Sequence, residues 1–517
     1  MNGLARPTAS ITSRHKPGRS TASGVVADEA CGSGATSGAE TVGALAAETV
    51  AALNAKGIGR GDRIAIVLDN GPEMAAAFLC VAAGATAAPL NPAYRAEEFE
   101  FYLSDLHARI LIIERDKASP VVDVANKLGV PVVRLAATPG RGAGSFALTF
   151  PDSAGTNKAS QSGPAAPEDI ALVLHTSGTT SRPKIVPLAQ RNVCASARNI
   201  RTTLALTQTD RALNIMPLFH IHGLIAGTLA PLSAGSEVCY TTGFNALRFF
   251  QWMAEVRPSW YTAVPTMHQT ILSRAGKNKE VIQANPLRFI RSSSSSLPPQ
   301  VIKELEEVFG APVIESYGMT EAAHQMSSNP LPPGTRKPGT VGIAAGPEVA
   351  VIDSDGYPVA PGATGEIAIR GENVTSGYEN NPKANSEAFV RGWFRTGDQG
   401  VMDAEGYLTI TGRLKEIINR GGEKISPREV DEVLLDHPAV QQCVTFAVPH
   451  DKLGEEVAAA VVLREGAQAS EKDLREFVAI RLADFKVPRK ILILSEIPKG
   501  ATGKVQRIGL AQKLGLA

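Results

Sequence analysis

The stretch 174–184 gathers the chemistry that the rest of the chain must position. Hydroxyls stand at Thr176, Ser177, Thr179 and Thr180, a glycine at Gly178, and cations at Arg182 and Lys184, with Pro183 as a breaker. Such a loop can wrap a polyphosphate. Gly178 permits close backbone approach, hydroxyls and amides donate hydrogen bonds, and the cations supply charge. It is not a Walker loop, because the G-x-x-x-x-G-K-[ST] spacing is absent. Just upstream, the apolar residues 170–174 read as a buried strand; downstream, residues 190–206 read as a helix.

A loop of this kind needs a rigid sheet beneath it. From residue 41 the chain alternates helix-like segments (41–56, 72–83, 95–105) with strand-like ones (63–68, 87–90, 109–113). That rhythm implies parallel strands covered on both faces by helices. After a Ser/Pro/Gly/Asn-rich connector over 151–168, a second α/β segment runs to about residue 330. Turn pairs Asp355-Gly356, Pro361-Gly362 and Glu405-Gly406 mark a small β subdomain over 345–411. From residue 414, helices (427–435, 471–482) alternate with strands (444–447, 458–463, 490–494). The expected fold class is therefore α/β: a large N-terminal domain of parallel sheets flanked by helices, a small β subdomain, and a small α+β C-terminal domain. The expected divisions are an unstructured low-complexity tail over 1–40, the large domain over 41–413 and the small domain over 414–517.

A chain of 517 residues exceeds one hydrophobic core, which agrees with that division. Hydrophobic residues at 44 % with charged residues at 20 % describe an ordinary soluble protein. A net charge of +1 gives no support to nucleic-acid or membrane-surface partners. Five scattered cysteines lack metal-ligand spacing, and thiols in a reducing cytoplasm are expected. No uncharged run is long enough to span a bilayer; residues 74–89 are apolar but short. Arg6, Arg14, Lys16 and Arg19 among Ser and Thr leave a transit peptide as the alternative, and the C-terminus is not a peroxisomal address.

Four further stretches share the chain with the first loop. They are Glu315-Ser316-Tyr317-Gly318-Met319-Thr320-Glu321, the segment 392–398 ending in Asp398, Gly412-Arg413-Leu414-Lys415-Glu416, and the segment 498–504 ending in Gly503-Lys504. In order and spacing the five resemble the adenylate-forming family of acyl-CoA synthetases, carrier-loading adenylation domains and luciferases, from about residue 41 onward. The resemblance implies ATP, Mg²⁺ and coenzyme A as the small molecules used with a carboxylic acid. It implies ATP binding by Thr176, Ser177, Gly178, Thr179, Thr180 and Lys184 and by Glu315 through Thr320. Tyr317 would stack on adenine, Thr320 would hydrogen-bond the α-phosphate, and Glu321 would hold Mg²⁺, a hard ion suited to oxygen ligands. Asp398 would accept the ribose hydroxyls and Arg413 would reach ribose or phosphate. Lys504 would stabilise the adenylation transition state as a mobile point charge. Lys415 would be the hinge about which a mobile C-terminal domain rotates, bringing Arg420, Gly421 and Gly422 against coenzyme A. A monomer or homodimer is expected.

Three acyl-pocket stretches depart from relatives that take fatty or aromatic acids: 216–223 with His220 and His222, the serine run 291–297, and 321–325 with His324. An apolar tail would leave such donors unsatisfied, each at about 1–3 kcal/mol, whereas a second carboxylate would satisfy them. This pattern resembles plant and fungal oxalate–CoA ligases. By that resemblance His220, which would also act in catalysis, Ser292 or Ser294, and His324 would hold the distal carboxylate. The alternatives are a ligase for another small, medium-chain or aromatic acid, a carrier-protein loader, and a nucleotide-binding protein that has lost turnover. Family members usually begin with an extra segment where this chain has its low-complexity stretch.

Overall fold

The computed structural model describes residues 24–26, 36–152, 158–176, 183–498 and 505–517. Two large sheets face each other across shared helices. The first has seven strands, with Arg63–Val67 near its centre between Ile110–Glu114 and Thr86–Pro89. Its central strands are parallel and buried on both faces, which is why they read as continuous runs such as Ile110–Glu114. The apolar stretch over 74–89 is the buried helix Pro72–Ala82 followed by the strand Thr86–Pro89. Among the described residues no helix is long and apolar enough to cross a membrane.

The second sheet has nine strands; Arg211–Asn214, Trp260–Ala263, Phe289–Ser292 and Val313–Met319 lie in its parallel part. One hydrophobic core joins the two sheets, from Leu45 and Ile64 on one side to Trp260 and Phe289 on the other. At the far edge of this sheet lie two short strands from the span 1–40, most of which lies outside the described residues. Gly24–Val26 pairs parallel with Glu237–Tyr240, and Thr36–Gly38 pairs antiparallel with it. Without them Glu237–Tyr240 would present a row of unpaired backbone groups at the sheet edge. The first long helix then spans Ala39–Asn54.

A five-stranded sheet follows, ending in Leu408–Arg413, with Gly356 and Gly406 at φ 86° and 85° in its turns. The chain turns over 414–416 and enters a fourth sheet at Ile418–Arg420. We place the division between the domains in that turn. The small domain packs helices Pro427–Leu435 and Glu471–Ala479 on a sheet whose long pair is Val440–His450 with Gly454–Leu463.

Candidate active site

The phosphate-loop stretch is a hairpin, not a strand-to-helix connection. Ile170–Thr176 pairs antiparallel with Lys184–Ala189, and only then does the helix Gln190–Thr203 begin. Thr176 and Lys184 are ladder partners at the mouth of the hairpin. Ser177, Gly178, Thr179 and Thr180 lie outside the described residues, as does Lys504. The second strand escaped the sequence reading because Pro187 interrupts it; it lies on the sheet edge, where a missing N–H is tolerated.

The strand Val313–Met319 turns through Thr320–Ala322 and returns as His324–Ser328. The reversal is sharp: Ala323 and His324 have φ of 46° and 103°, left-handed values that cost energy outside glycine. Gly318 is fixed by close approach, since a Cβ there would lie 1.7 Å from the His324 carbonyl oxygen. Ser316 donates from Oγ to the Ser292 carbonyl (3.2 Å), tying this strand to its neighbour. Met319 packs on the core of the β subdomain, and Thr320 is half-buried at the start of the turn.

Tyr317 donates its hydroxyl to Asp398, whose other oxygen accepts from Arg413 Nε at 2.9 Å. The three residues expected around the nucleoside are therefore linked. Glu321 is buried, and desolvation raises its carboxyl above the usual range. Its Oε1 accepts from the Tyr378 hydroxyl at 2.8 Å, and Lys184 Nζ sits 4.3 Å from the centre of the Tyr378 ring. Tyr378 thus joins the hairpin to the carboxylate, a role the sequence reading missed. One buried carboxylate fits Mg²⁺ that takes its other ligands from phosphate oxygens and water. Among the described residues no group of three or more His, Cys, Asp or Glu forms a self-sufficient metal cage.

Beside this turn lies a buried polar cluster. His222 stacks on His324 with ring centroids 4.8 Å apart. His222 Nδ1 is 3.0 Å from Ser294 Oγ, and Nε2 is 2.6 Å from Thr262 Oγ1. Arg291, fully buried, places Nη1 3.3 Å from the same Nε2 and Nη2 3.4 Å from Gln325 Oε1. The histidine brought against His324 and Ser294 is thus His222. His220, half-buried, sets its ring 4.6 Å from that of Phe219. Of the two candidate serines, Ser294 meets the histidine; Ser292 is buried, with no partner for its hydroxyl among the described residues. A signal for Arg291 existed, namely a cation inside the apolar strand Phe289–Ser292, where a charge is rarely buried without purpose.

On the small domain, Lys415 is exposed in the inter-domain turn. Gly421 and Gly422 close the hairpin between Ile418–Arg420 and Glu423–Ile425 with φ of 61° and 102°. That turn alone requires two residues tolerant of positive φ. Arg420 Nε is held by Glu456 at 2.6 Å, so meeting coenzyme A would require exchanging one anion for another. Arg428, on the helix Pro427–Leu435, donates to Ser296 across the domain boundary.

Glu315 is buried with Oε1 accepting from the Leu297 amide (3.1 Å) and, among the described residues, no partner for Oε2. Burial pushes its carboxyl up to about 7, against a smaller downward pull from Arg428. An unfolded glutamate titrates near ~4.3. Between those values the folded protein holds a proton that the unfolded chain has released, so stability falls as pH rises through that window, by roughly 4 kcal/mol. Glu315→Gln, which resembles the protonated group, should melt several degrees above the parent at pH 8 and level with it near pH 4. A constant difference between the two pH values, measured by thermal unfolding, would refute this.

Residues 39–379 match the AMP-binding enzyme family, and 429–504 match the AMP-binding enzyme C-terminal domain. The chain is 49 % identical over 460 residues to oxalate–CoA ligase of Arabidopsis thaliana, covering 88 % of this chain and 89 % of that one. It is 42 % identical to oxalate–CoA ligase of Saccharomyces cerevisiae, covering 88 % and 87 %. The structure of ATP-bound MatB from Rhodopseudomonas palustris superposes with a TM-score of 0.82 at 29 % identity, covering 93 % and 94 %. This chain belongs to the AMP-binding enzyme family.

Proposed function

We propose that the chain is an AMP-forming acid–CoA ligase acting on oxalate in the cytoplasm. The observation that carries the choice of acid is the buried cluster of His222, His324, Ser294 and Arg291, all polar and adjacent to the turn carrying Thr320 and Glu321. A fatty or aromatic tail there would offer nothing to balance the buried charge of Arg291. The names of the relatives from Arabidopsis thaliana and Saccharomyces cerevisiae support the same acid.

In the first step one oxalate oxygen attacks the α-phosphorus of ATP, the bond to pyrophosphate breaks, and oxalyl-adenylate forms. Positioning and charge neutralisation supply the catalysis. Asp398 and Arg413 would hold the ribose, and Tyr317, fixed through its hydroxyl, would present its ring to adenine. Thr320 and Lys184 would contact the phosphates, and Lys504 would neutralise charge developing on the α-phosphoryl oxygens. Mg²⁺, held by Glu321, would neutralise the phosphates when bound. In the second step the sulfur of coenzyme A attacks the oxalyl carbon and AMP leaves; rotation about Lys415 would exchange Lys504 for the loop with Arg420, Gly421 and Gly422.

The test is pyrophosphate release with ATP, Mg²⁺ and coenzyme A over oxalate, malonate, acetate, octanoate and coumarate. Oxalate should exceed acetate in kcat/KM by about a thousandfold or more, because a site built to hydrogen-bond a group rejects acids lacking it. A preference for octanoate or coumarate would overturn the reading.

A further inference from the structure

Arg291 is fully buried, yet among the described residues no carboxylate pairs with it. Its neighbours are neutral acceptors: His222 Nε2 at 3.3 Å, Thr262 Oγ1 at 3.4 Å and Gln325 Oε1 at 3.4 Å. Gln325 cannot present its other end, because its amide nitrogen donates to Thr203 Oγ1 and to the Ala345 carbonyl, both at 3.0 Å. Arg291 Nε has no partner among the described residues. A buried charge left without a counter-ion is among the more destabilising features a fold can carry, so its retention calls for a ligand that supplies the charge.

The donor character of guanidinium sets the direction of every hydrogen bond in the cluster. Arginine has no acceptor, so its N–H groups point at Thr262 Oγ1 and His222 Nε2. The Thr262 hydroxyl must then donate its own hydrogen to Nε2 at 2.6 Å, which leaves the His222 proton on Nδ1. Nδ1–H donates to Ser294 Oγ at 3.0 Å, and the Ser294 hydroxyl is left to donate outward. Ser294 is half-buried and held at φ 72°, a backbone cost typical of residues kept for function. The chain of donors thus starts at a buried cation and ends at the rim of the cluster.

We infer that Arg291 is the specificity-determining cation of the acid pocket: through Thr262 and His222 it turns Ser294 into an obligate donor and supplies the positive charge that selects an acid with a second anionic group. This rests on reading the cluster as the acid site. Arg291 acts behind His222 and is a positioning residue, so loss of activity alone would not identify its role.

The experiment compares the full-length parent with Arg291→Met and Arg291→Lys over oxalate, malonate, sulfoacetate and acetate, following pyrophosphate release, with ATP affinity and melting temperature measured on each. Arg291→Met should lower kcat/KM for the preferred dianionic acid about 10- to 100-fold, leave acetate and ATP affinity within a few-fold, and melt at or above the parent temperature, since it removes an uncompensated charge. Arg291→Lys should retain part of the preference. If Arg291→Met is folded and keeps the parental preference for dianions, the inference is overturned; so it is if the parent prefers acetate. If the parent prefers malonate or sulfoacetate and Arg291→Met loses that preference, the inference stands and only the choice of oxalate falls.

Discussion

Lys504→Ala is expected to lower oxalate-dependent pyrophosphate release by about a thousandfold, while thioester formation from supplied oxalyl-adenylate stays within a few-fold of the parent. Removing one preorganised donor from a site of developing negative charge costs roughly 10²–10³ in rate. The asymmetry between steps is the sharper part. In the proposed mechanism Lys504 would serve adenylation only, and the second step would use an orientation in which it has withdrawn. The structure supplies an anchor for that movement three residues on. Arg507 is fastened within the small domain by Asp431 at 2.7 Å, by Glu416 at 3.1 Å and by the Thr445 carbonyl at 2.9 Å. A segment tethered there must travel with the small domain. Single-turnover assays of the two steps decide the matter, and equal loss in both would sink the two-orientation mechanism.

The second large effect is steric. In Gly318→Ala the new methyl would sit 1.7 Å from the His324 carbonyl oxygen and 2.6 Å from its carbon. The obstruction is backbone, so no side chain can swing aside, and the strands Val313–Met319 and His324–Ser328 must part locally. Those strands and their turn place Tyr317, Thr320, Glu321 and His324, so every contact expected of the site shifts together. Activity should fall more than a hundredfold with every acid alike, with weakened ATP binding and a melting temperature lower by several degrees. Loss confined to oxalate would show that the turn serves the acid pocket alone.

Much of the site was legible because its residues advertise chemistry by type. Tyr317, Glu321, Asp398 and Arg413 stand in short motifs; the fold links Tyr317, Asp398 and Arg413 by hydrogen bonds and pairs Glu321 with Tyr378. What escaped was phase. His220 and His222 are two residues apart, and on a helical segment only one of such a pair can face a given neighbour. Sequence does not set that phase, and here the segment His222–Leu229 is a π-helix, whose wider turn shifts it again. The choice between the serines stayed open for a related reason. Period-two alternation would put Ser292 and Ser294 on one face, but the strand ends at Ser292 and Ser294 takes a left-handed conformation. Pro187 concealed a strand because the rule against proline relaxes at sheet edges. Gly24–Val26 was hidden because three residues are too few to show a period-two pattern.

The hydrogen bond from Arg428 to Ser296 ties the two domains two residues from Ser294. If the small domain rotates about the turn at Lys415 as proposed, that bond must break, and the proposed acid site and the domain orientation would be linked equilibria. Linkage is reciprocal. An acid that firms the serine segment holds the small domain docked by the same free energy with which docking tightens the acid. Release of that bond would then slacken the pocket as the thioester forms, so an enzyme that grips a small dianion firmly needs no separate device to let its product go.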